Sequence, residues 1–112
     1  MKQFQIGRDY SDAPAGRYRK DGPFSGERFR EDFLIPELLK EDVVNVDLSG
    51  VAGYGSSFLE EVFGGLVRKW DGTKDELSSK LHVIATDPRK ECYRLRVEKY
   101  MSDAWNCKNG NA

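Results

Sequence analysis

The chain has 112 residues, enough to bury one hydrophobic core and too few for two. Charged residues make up 33%, aromatics 12% and the net charge is −1, a balance that argues against wholesale disorder and against a global field steering the protein onto nucleic acid or a membrane. No apolar run reaches the length of a membrane span or a signal-peptide core, so a cytoplasmic location is expected.

Lys2 to Ile6 alternates polar and apolar residues and predicts a short strand, followed by a loop over Gly7 to Gly16. Arg17-Tyr18-Arg19 is read as a second short strand. Asp21-Gly22-Pro23-Phe24-Ser25-Gly26 is a turn in which Ser25 can cap the next helix. That helix turns Phe29, Phe33, Leu34, Ile35 and Leu38 to one side and Arg28, Arg30, Glu31 and Asp32 away. Pro36 should kink or restart it.

Val43 to Leu48 is β-branched and mostly apolar, as a central strand covered on both faces would be. A glycine-rich turn then enters the most regular apolar pattern of the chain: Phe58, Leu59, Val62, Phe63, Leu66, Val67 and Trp70. Ser57-Phe58-Leu59-Glu60 fits a capping box. Gly64-Gly65 inside this helix predicts close approach to a strand. Asp71-Gly72 ends the helix, Thr73 to Lys80 is a polar connection or short helical turn, and Leu81 to Thr86 is a further strand. Asp87-Pro88 opens a last helix with Tyr93, Val97, Tyr100, Met101 and Ala104 on one side. The reading is one domain over 1–105 and a disordered tail over 106–112. Its fold class is a small α/β sandwich: a mixed sheet of about four strands, the N-terminal ones antiparallel, and the second half parallel through right-handed crossovers.

Charge is uneven. The segment 31–60 is acidic apart from Lys40, whereas 1–30 and 80–108 are basic. No aromatics are interleaved with the bases as stacking platforms, so nucleic acid is disfavoured as a partner. Cys92 and Cys107, if on one helix, stand roughly 22 Å apart at about 1.5 Å per residue, beyond disulfide reach. With a single histidine, no zinc pattern arises, and no cofactor or metal is implied.

The chemistry gathers at the turn into the central helix. A strand, a glycine turn and a helix start place Tyr54, Gly55, Ser56 and Ser57 where unpaired amides and the positive end of the helix dipole attract an anion, a phosphorylated side chain or a partner's carboxylate. For the two serines, simple capping competes with a ligand-contacting role. Tyr54 between glycines must pack or bind something. Arg17, Asp21, Ser25 and Arg28 lie near the turn that caps the first helix, and arginines can fork onto phosphate or carboxylate. A hydrolase of Ser56, His82 and Asp87 can be assembled on paper, but the G-x-S-x-G elbow is missing. Glu60 and Glu61 are adjacent and should diverge on a helix.

Val46-Asp47-Leu48-Ser49-Gly50-Val51, followed by Gly55-Ser56-Ser57 and a helix, resembles the STAS domain of anti-sigma-factor antagonists. Gly22 to Arg30, together with Gly53 to Arg68, is similar to the bacterial STAS-like family called domain of unknown function 4325. The resemblance implies a STAS-like sandwich and aligns Ser56 with the serine that antagonists offer for phosphorylation, Gly55 standing where they carry an aspartate. It also implies a histidine-kinase-like ATPase as partner. The expected function is a non-enzymatic regulatory module that docks a protein through Tyr54, Gly55, Ser56, Ser57, Arg17, Asp21, Ser25 and Arg28, with Ser56 as phosphoacceptor. The alternative is a sensor of a nucleotide or other phosphate compound at the same helix start. Oligomeric state is not legible in the sequence.

Overall fold

The computed structural model describes residues 1–109. Strand β1 (Lys2–Gln5) leads into a single helical turn, α1 (Ile6–Asp9). Helix α2 spans 26–40, β2 is Val44–Asp47, and α3 spans 56–69. Helix α4 (Lys74–Lys80), β3 (Leu81–Ile84) and α5 (Glu91–Lys108) complete the five helices.

The sheet has three strands in the order β1-β2-β3, all parallel. Two expectations are thereby corrected: among the described residues there is no fourth strand, and β1 joins β2 in parallel rather than antiparallel fashion. Arg17 to Arg19 does not form a strand, because Arg19–Asp21 winds into a 3-10 turn in which Asp21 accepts from the Tyr18 N–H at 2.9 Å. The register aligns Phe4, Val46 and Val83 on one face and Gln3, Asn45 and His82 on the other. The first face meets the core, where Val44, Val46, Phe29, Phe58 and Phe63 have no exposure. The second row is polar and open to solvent, so β2 is not covered on both faces as its composition implied.

Helices α2 and α3 each contain a widened, π-type stretch, Phe29–Leu34 in α2 and Glu60–Gly64 in α3. In α2 the Ile35 N–H reaches back five residues to Arg30 O, one residue before Pro36. The extra residue in that turn absorbs the proline, whose missing N–H and ring disrupt regular bonding, and α2 runs on to Lys40. Ser25 caps α2 as expected, accepting from the Arg28 N–H at 3.2 Å.

At the other end of the chain, α5 continues through Lys108, so 106–108 are helical instead of belonging to a disordered tail. The Lys108 ammonium anchors them by donating to Val67 O at 2.8 Å, which also accepts from the Trp70 N–H, and to Trp70 O, at the end of α3. Residues 110–112 of the expected tail lie outside the described residues. Among the described residues, no helix is long and apolar enough to cross a membrane.

Candidate partner-binding site

Where β2 ends, the Asp47 carboxylate is buried and gathers the two loops that leave the sheet. Its Oδ1 accepts from Ser49 N at 3.0 Å and Thr86 N at 3.2 Å, and its Oδ2 accepts from the Thr86 hydroxyl at 2.6 Å. Ser49 Oγ lies 3.1 Å from Thr86 Oγ1 and accepts from Asp87 N at 2.9 Å. Burial alone raises a carboxyl pKa, but the hydrogen bonds from Thr86 and Ser49 outweigh it and hold Asp47 below its ordinary value. The network fixes the starting point of the glycine-rich turn.

Tyr54 fixes the middle of that turn. Its ring is buried, stacked on Phe58 at 5.9 Å and edge-on to Tyr93 at 5.3 Å, and its hydroxyl donates to Leu48 O at 2.6 Å. Burial, foremost, pushes its pKa up. Tyr54 therefore packs, and supports the turn from below rather than offering its ring to a partner.

Gly55 is the N-cap of α3, so Ser56 and Ser57 are its first two helical residues. The expected capping box is not formed: no side chain caps this helix, and Glu60 is drawn to arginines instead. Both serines are exposed, and among the described residues neither hydroxyl makes a hydrogen bond. Capping, the structural explanation that competed for them, does not account for either. Two free hydroxyls stand beside the unpaired amides and positive dipole end of a 14-residue helix.

Of the four flanking residues, Arg17 reaches α3: its Nη1 donates to Glu60 Oε1 at 2.6 Å and Glu61 Oε1 at 3.1 Å, one turn beyond the serines. Asp21 stays in its own turn. Ser25 is fully buried, and its carbonyl accepts from the Tyr10 hydroxyl at 2.8 Å. Arg28 folds over the rings of Tyr10, Phe24 and Phe33 and donates to Pro23 O at 2.5 Å. Among the described residues, no hydrogen bond joins Asp21, Ser25 or Arg28 to Ser56 or Ser57.

One residue was read wrongly from helical spacing. Arg30, expected to point away from the apolar side, is 3% exposed and bonds the buried Glu61 through Oε2 at 2.5 Å and its carbonyl at 2.7 Å. Arg68 clasps Glu60 at 2.7 Å and, with Arg17, holds that carboxyl below its ordinary pKa. Gly64-Gly65 was the sequence signal for this contact, although it was expected to mark close approach to a strand. These glycines face this ion network and not a strand, since a Cβ on Gly65 would stand 2.3 Å from Arg30 Nη1, and one on Gly64 2.3 Å from Glu60 Oε2.

The hydrolase arrangement is not assembled. Asp87 caps the Pro88–Lys90 turn and binds Arg89, while His82 is exposed on β3, with no hydrogen bond to Ser56 or Asp87. Among the described residues, no group of three or more histidines, cysteines or carboxylates could hold a metal ion. Cys92 and Cys107 are free, exposed and on one helix.

Comparison with curated proteins and with solved structures finds no match. A family model does match, over residues 25–91, from the cap of α2 through the site turn to the first residue of α5. The elements that carry the exposed serines, the Asp47 network and the Arg30–Glu61 pair all fall within that span, and the chain belongs to the family described as STAS-like domain of unknown function (DUF4325).

Proposed function

We propose that this chain is a non-enzymatic regulatory module that docks a partner protein through the Gly53 to Ser57 corner, and that phosphorylation of Ser56 weakens the docking. The observation that carries this reading is the pair of exposed, unbonded serine hydroxyls at the start of α3, on a turn held rigid by Asp47 and Tyr54. A rigid, exposed corner loses little freedom when a partner covers it. A histidine-kinase-like ATPase is the proposed partner class, on the kinship with anti-sigma-factor antagonists. Among the described residues no base is hydrogen-bonded to either hydroxyl, which supports recognition rather than nucleophilic chemistry.

A phosphate on Ser56 gains about 0.3–1 kcal/mol from the helix dipole, so the modified protein stays folded. In a docked complex the same dianion meets Glu60 one turn on and must be desolvated. The test uses a partner captured from the native host with the wild-type chain, followed by calorimetric affinities. Ser56→Ala should bind like wild type and Ser56→Asp about tenfold or more weakly; equal affinities for both would remove Ser56 from any switch. Thermal-shift assays with nucleotides separate the sensor reading, because a true ligand at a hundred times its Kd adds about 2.7 kcal/mol.

A further inference from the structure

At the far end of α3, Trp70 is 7% exposed. Its carbonyl is occupied by Lys108, but its indole Nε1 is the one buried side-chain nitrogen or oxygen among the described residues without a hydrogen-bond partner. Such an orphaned donor costs about 1–3 kcal/mol and calls for an acceptor. Trp70 lines a cleft of about 190 Å³ with Ile35, Leu39, Lys69, Asp71, Gly72 and Glu76. The Glu76 carboxylate, for its part, accepts no hydrogen bond from the described residues.

Gly72 makes these two groups converge. A Cβ on it would stand 2.7 Å from Trp70 Nε1 and 2.8 Å from Glu76 Oε1, closer than a side chain can approach, so only a glycine lets this donor and this acceptor stand together in one notch of the cleft. Ile35 and the 73% exposed Leu39 supply an apolar rim.

We propose that this notch binds a primary carboxamide. One edge of that group presents a carbonyl oxygen for the indole N–H and a syn N–H for Glu76, side by side. A trans peptide unit points its C=O and N–H in opposite directions and cannot satisfy both walls at once. A carboxylate has no proton for Glu76, and an ammonium has no acceptor for the indole. The carboxamide comes either from a small free amide or from a glutamine or asparagine side chain of a partner protein.

The test follows the indole N–H resonances of the ¹⁵N-labelled full chain during titration with propionamide. Trp70 is assigned by Trp70→Phe, and Trp105 serves as internal reference. Propionamide should shift Trp70 saturably and leave Trp105 unmoved, while propionate and propylamine should do neither. Gly72→Ala, whose methyl forces the indole and Glu76 apart without requiring an unusual backbone, should weaken binding about tenfold or more; should that variant fail to fold, Glu76→Ala is expected to do the same. Tighter binding of acetyl-Leu-Gln-Leu-methylamide than of propionamide assigns the carboxamide to a partner's side chain, and equal or weaker binding assigns it to a free amide. No saturable shift of Trp70, equal response to the acid or the amine, or undiminished binding in the folded variants would overturn the proposal.

Discussion

Asp47 shows how one residue in the turn's foundation sets a measurable property of the whole chain. Its folded-state pKa lies below the ordinary value because Thr86 and Ser49 hydrogen-bond the charged form more strongly than burial opposes it. A carboxyl with a lowered folded pKa contributes stability that is complete above its unfolded pKa, near 4, and disappears as pH falls through the folded value. Glu60, held down chiefly by Arg68, acts in the same direction. Urea midpoints should therefore drop between pH 5 and pH 2.5, and Asp47→Asn should flatten part of that decline while lowering stability at pH 7. An unchanged slope in the Asn variant would mean that Asp47 titrates alike in the folded and unfolded chain. The same residue shows a limit of reading by type. Asp47 and Ser49 stood in plain sight in the resemblance motif, but their partner Thr86 lies 39 and 37 positions away from them, beyond the reach of any local pattern.

Between elements, the decisive contact is the Arg30–Glu61 pair, where the widened stretches of α2 and α3 face each other. An arginine and a glutamate at these depths are costly to bury, and losing one partner of such a pair removes about 3–5 kcal/mol. Gly65→Ala gains about 1 kcal/mol of helix propensity but sets its methyl 2.3 Å from Arg30 Nη1, so a net loss of about 2–4 kcal/mol is expected. Gly64→Ala offers a matched comparison. It meets the tip of Glu60, which is flexible and partly exposed, and should fall within about 1 kcal/mol of wild type. Denaturation curves in which Gly65→Ala is as stable as Gly64→Ala would show that Arg30 relocates at little cost. Helical spacing placed the apolar stripe of α3 correctly and misplaced Arg30, because a widened turn rotates the residues beyond it off the regular period. Pro36 announced that disturbance, but not its form.

Across the whole molecule, the elements with a strong local signature were legible: the capped start of α2, the central strand, the apolar stripe of α3, β3 and the Asp87 cap before α5. What escaped depended on distant partners. The direction of β1 is set by where α2 returns the chain, and the end of α5 by the carbonyls that Lys108 finds on α3. Of the site, the free serines were located from the turn alone, while Tyr54 and Ser25 proved to be supports because neighbours close in tertiary space cover them. The same dependence bears on the segment that defines the family, 25–91, which omits β1 and nearly all of α5. Without them the core loses Phe4 and Ile6 on one side and Val97, Ala104 and Trp105 on the other, and β2 becomes an edge. At about 1.5–3 kcal/mol for each fully buried large side chain, those residues together supply about 6–12 kcal/mol, comparable with the whole 5–15 kcal/mol by which a domain is ordinarily stable. The fragment 25–91 should thus lack the dispersed amide NMR spectrum of a folded domain, and adding 1–24 and 92–108 together should restore it. A cooperative unfolding transition in the bare fragment would place the core within the family segment alone and reduce β1 and α5 to attachments.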